Sequence, residues 1–100
     1  MLDWHLYLVR CYDGTLYTGI TTDVARRFAE HKGNSDTGAK YLRGGGPLVL
    51  VFQRKLGERS LALGAESRVK KLSKARKEEL LKDNSRIDEI IKQMRLRQTI

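Results

Sequence analysis

Five side chains in this sequence could act together on a phosphodiester: Tyr7, Tyr17, Arg27, His31 and Glu66. Hydrolysis of that bond needs an activated water, positive charge against the phosphoryl oxygens and help for the leaving oxygen. A phenol, with a pKa near ~10, is protonated at neutral pH, but a neighbouring cation or metal-bound water favours its phenolate. Arg27 and His31 lie four apart, which puts both on one stripe of a helix. Periodicity favours Arg27 over adjacent Arg26, which points roughly opposite Val24 and Phe28. Glu66 falls between Leu63 and Val69 on an otherwise apolar helical face. A carboxylate there needs an ion pair, with Arg27 or a nearby lysine, or a metal ion. The plain alternatives are half-buried strand tyrosines, a surface arginine and a solvated histidine.

The elements that must position these groups start with residues 5–31. Two short Tyr- and Leu-rich runs flank Asp13-Gly14 and read as a β-hairpin. A three-residue loop, Tyr12-Asp13-Gly14, puts Gly14 in the left-handed position of a bulge. Leu6, Leu8, Leu16 and Ile20 then share one face, and Tyr7, Val9, Tyr17 and Gly19 the other. A two-residue turn would split the tyrosines, and the register that gathers the aliphatics is favoured. Thr21-Thr22-Asp23 supplies an N-cap for a helix carrying Val24 and Phe28, which Lys32-Gly33-Asn34 ends. Residues 33–47 form a polar, glycine-rich loop in which Lys40, Tyr41 and Arg43 combine two cations with a stacking face. The run 48–52 predicts a buried central strand. Ser60 could cap the helix that bears Glu66, Ser73 begins the next set of helical turns, Lys74 to Lys82, and Ser85 with Asp88 resembles a capping box. Ile87, Ile90, Ile91 and Met94 give the last helix one apolar face.

His5-Leu6-Tyr7 and Tyr17-Thr18-Gly19, followed by Arg27, resemble the signature of the GIY-YIG endonuclease domain, with His5 and Leu6 standing for Gly and Ile and Thr18 for Ile. The closest resemblance is to the family's small stand-alone bacterial members. It spans about residues 4–80, through Leu-Tyr-Thr-Gly-Ile-Thr-Thr-Asp and Gly-Ala-Lys-Tyr-Leu-Arg-Gly. It implies an α+β fold, a small three-stranded antiparallel sheet flanked by helices, with an extra C-terminal helix. It implies that Tyr7 is the general base and Tyr17 its orienting partner, roles that could be exchanged. Arg27 would grip the scissile phosphate, and His31 occupies a position where members place His or Tyr. Glu66 would hold a single divalent ion, Mg2+ or Mn2+. Thr22 stands where other branches carry a lysine that assists the base, and Asn84 receives no role.

One hundred residues make a single domain with a modest core, residues 1–82 as the nuclease-like unit and 83–100 as an amphipathic helix of the same domain. Lone Cys11 excludes a disulfide framework and a cysteine zinc cluster. With no long apolar run and no signal-like start, a soluble, cytoplasmic chain without membrane contact is expected. The phosphate loop Gly-x-x-x-x-Gly-Lys-Ser/Thr, Gly-x-Ser-x-Gly and His-Glu-x-x-His are all missing, so no nucleotide cofactor is expected. The net charge is +8, and ten of the lysines and arginines lie between Gln53 and Lys82 against four acids. Such a patch attracts polyanions. Arg68, Lys70 and Lys71 within it are expected to face nucleic acid. The resulting expectation is a metal-dependent DNA endonuclease acting in repair on damaged or branched DNA. A catalytically silent nucleic-acid-binding module is the alternative. A third reading docks the last helix in a protein partner's groove.

Overall fold

The computed structural model describes residues 2–32 and 47–98. Its elements are β1 (Trp4–Arg10), β2 (Leu16–Thr21), α1 (Val24–Lys32), β3 (Val49–Gly57), α2 (Arg59–Lys70), α3 (Lys74–Lys82) and α4 (Asn84–Gln98). The three strands form one antiparallel sheet in the order β2-β1-β3, an α+β architecture.

The hairpin takes the three-residue loop. Cys11 donates to Thr15 across it, and Gly14 sits at φ +88°. Tyr7 pairs with Gly19 and Leu8 with Thr18, so the aliphatic and tyrosine faces separate as the alternation requires. Leu6, Leu8 and Leu16 form the larger core with Leu61, Ala65 and Val69 of α2, Leu80 of α3 and Ile87, Ile91 and Met94 of α4. Tyr7, Val9 and Cys11 form a second core under Val24 and Phe28 of α1, with Leu48 and Leu50. One helix thus covers the tyrosine face and three cover the other.

Several expectations are corrected. Residues 49–52 of the 48–52 run belong to a longer edge strand, Val49–Gly57, and β1 is the central one. Its residues still meet apolar groups on both faces, which explains the continuous run. Ser60 is not the cap of α2; Glu58 holds that place without a side-chain bond. The box at Ser85 does not form. Asp83 accepts from Ser85, and Asp88 instead pairs with Arg54 of β3. Asp23 and Ser73 do cap α1 and α3, accepting from the amides of Arg26 and Arg76. Ile87, Ile91 and Met94 of α4 are buried in this chain's own core with α2 and α3. Among the described residues no helix is long and apolar enough to cross a membrane.

Candidate active site

The tyrosine face of the sheet gathers four of the five expected groups. Tyr7 on β1 and Tyr17 on β2 have ring centroids 6.3 Å apart, and the His31 ring of α1 lies 5.1 Å from Tyr17 and 6.0 Å from Tyr7. Tyr7 Oη and His31 Nε2 are hydrogen-bonded at 2.9 Å in the interior. Both residues are 1% exposed.

The local sequence explains this approach. Gly19 lies directly across from Tyr7, and a Cβ there would stand 2.6 Å from the phenol oxygen. Only a residue without a side chain lets Tyr7 cross β2 to reach α1. The Asp23 cap starts α1 so that Arg27 and His31, one turn apart, look down on the tyrosines. Arg27 pairs with Glu30 at 3.0 Å and also lies beside the Tyr7 phenol.

The protein groups around Tyr7 favour its protonated phenol. Burial, reinforced by neighbouring Tyr17, pushes the Tyr7 pKa up to about 12, and Arg27 pulls it back only in part. Burial also lowers the His31 pKa, as does the Arg27 charge, while Glu30 opposes them. A neutral imidazole therefore faces a protonated phenol.

Glu66 stands apart from this group in its contacts. Its carboxylate pairs with Lys70 at 3.4 Å, one turn along α2, rather than with Arg27. Its side chain is 19% exposed. The face around it is less apolar than expected, since Leu63 is an exposed residue. At about 100° per residue, Leu61, Ala65 and Val69 aim at the sheet and Gly64 lies on the flank that Met94 of α4 covers. Asp88 ties α4 to edge strand β3, and Glu66 lies on the flank of α2 away from Gly64. Arg59, at the start of α2, lies over Trp4 at the start of β1.

The expected nucleic-acid-binding residues Lys40, Tyr41 and Arg43 lie outside the described residues. Arg68 leans back on the Gly64 carbonyl, Lys70 serves Glu66, and Lys71 is exposed at the end of α2. Sequence reasoning missed Thr18. It is 3% exposed on the aliphatic face, and its Oγ1 has no hydrogen-bond partner among the described residues. The available signal was one hydroxyl among Leu16 and Ile20 in a strict alternation. No group of three or more His, Cys, Asp or Glu side chains suited to a metal occurs among the described residues.

The description of the GIY-YIG catalytic domain family fits residues 3–79. A UPF0213 protein of Cronobacter sakazakii is 59% identical over 81 residues, which is 81% of this chain and 83% of that protein. A UPF0213 protein of Yersinia pestis is 58% identical over 84 residues, 84% and 86% of the two chains. Among solved structures, the UPF0213 protein of Bacillus halodurans is similar at 42% identity and a TM-score of 0.53. A protein from E. faecalis is similar at 41% and 0.57; each likeness covers 80% of this chain and 83% of the other.

Proposed function

Since the chain belongs to the GIY-YIG family and carries its nuclease domain, we propose that it is a divalent-metal-dependent endonuclease hydrolysing DNA phosphodiester bonds. Its setting is the cytoplasm, and its substrate is damaged or branched DNA under repair. Residues 1–82 and the helix of 83–100 act as one domain, a reading that the burial of α4 in the shared core supports.

The observation that carries the reading is the Tyr7–His31 hydrogen bond, packed against Tyr17 and beside Arg27. Tyr7 accepts the proton of the attacking water and passes its own to Nε2 of neutral His31. The imidazole thus supplies the basicity that a phenol held near 12 lacks at neutral pH. Tyr17 orients the pair from the neighbouring strand. Arg27 turns its planar fork from Glu30 to the scissile phosphate. The half-buried Glu66 carboxylate, held in its described contacts by Lys70 alone, fits a one-carboxylate site for Mg2+ or Mn2+ whose remaining ligands are waters and phosphate oxygens. Such an ion, when bound, supplies charge neutralisation at the phosphoryl oxygens. Arg68, Lys70 and Lys71, with Lys40, Tyr41 and Arg43, contact the DNA backbone, and recognition follows shape rather than base sequence.

The test is incubation with supercoiled, nicked and branched DNA in Mg2+ or Mn2+. Cleavage that Glu66→Ala abolishes while DNA binding persists is the expected result. Binding without cleavage, indifferent to Glu66→Ala, would instead favour the silent binding module.

A further inference from the structure

The orphan hydroxyl of Thr18 has an address. β2 sends Leu16, Thr18 and Ile20 to the face covered by α2, and Thr18 is the polar member of that row. Valine would fill the same volume without a buried hydroxyl lacking a partner. Above it α2 presents Ala62 and Ala65, both fully buried and without polar side-chain atoms. α2 packs on β2, and Glu66, the residue after Ala65, carries the half-buried acceptor of that helix. We propose that Thr18 is a positioning residue whose hydroxyl donates to the Glu66 carboxylate once a divalent ion has drawn that carboxylate from Lys70. The inference rests on the reading of Glu66 as the ion-binding group. The added hydrogen bond fixes which carboxylate oxygen faces the ion, as outer partners of metal ligands do.

The experiment measures Mn2+ binding by electron paramagnetic resonance, and melting without metal, for the wild type, Thr18→Val, Thr18→Ser and Glu66→Gln. Glu66→Gln removes Mn2+ binding. Thr18→Val raises the Mn2+ dissociation constant about tenfold, melts no lower than the wild type without metal, and Thr18→Ser restores the affinity. A merely structural hydroxyl would lower the melting point in Thr18→Val and leave the affinity unchanged; either result overturns the proposal. Glu66-dependent binding that ignores Thr18→Val sinks the Thr18 role alone. Equal Mn2+ binding by wild type and Glu66→Gln, or none by either, sinks the ion assignment and the Thr18 role with it.

Discussion

Tyr7 and His31 share a hydrogen bond in the interior, so their chemistry is coupled. Tyr7→Phe keeps the ring and its packing but removes the proton acceptor. It should lower the DNA cleavage rate by about 10²–10⁴-fold with DNA binding unchanged, as read by nicking of supercoiled DNA and by electrophoretic shift. The histidine carries a second prediction. Its pKa in the fold lies below the ordinary ~6.5, so on acidification the unfolded chain takes up the proton first. The stability contributed by neutral His31 is present above about pH 6.5 and is lost as pH falls through the lowered folded value. Denaturant midpoints measured between about pH 7.5 and 4.5 should therefore fall with pH in the wild type, and less steeply in His31→Gln. Equal slopes in the two proteins would contradict a buried neutral imidazole. The sequence made the Arg27–His31 stripe legible, because spacing fixes it. The hydrogen bond was not legible, because it depends on how closely α1 sits over β2.

That closeness is a property of the elements. The hairpin could be read to the residue because a three-residue loop admits one register that gathers Leu6, Leu8, Leu16 and Ile20. Gly19 is the outcome that matters, since its missing side chain is the passage through which Tyr7 meets α1. Gly19→Ala places a methyl 2.6 Å from the phenol oxygen of a ring with no room to retreat. The expected cost is about 1–3 kcal/mol of stability, together with most of the activity, measured by thermal melting and DNA nicking. A milder change tests α1 itself. Asp23→Ala removes the bond to the Arg26 amide and should cost about 1 kcal/mol. Less obvious was β3, where the apolar run looked central. Its bulge between the partners of Leu8 and Val9 shifts which side chains meet each core, and no local pattern announces such a shift. The partner of Glu66 was half legible: a lysine was anticipated, and the i,i+4 position of Lys70 is where helix geometry supplies one.

At the scale of the molecule, the proposed site draws on both layers: α1 carries Arg27 and His31 over the tyrosine face, and α2, in the other layer, carries Glu66. α2 is held from outside as well. Gly64 gives it a notch into which the Met94 methyl of α4 fits, and Arg10 binds Glu78 of α3 through two bonds of 2.7 Å. The last helix therefore belongs to the fold although the family match ends at residue 79. The sequence showed an amphipathic helix; only packing decides whether such a face turns inward or to a partner. Ile87, fully buried, tests the inward choice. Ile87→Ala should cost about 2–5 kcal/mol, because the space it leaves is bounded by the sheet and two other helices. A chain ending after Asn84 uncovers Leu80 and the α4-facing side of α2 together. It should lose cooperative urea unfolding and cleavage at once, since Glu66 then rides on a helix packed on one side only. A truncated chain with an unchanged urea midpoint and slope would place α4 outside the folding unit, and the Glu66 position would then owe nothing to it.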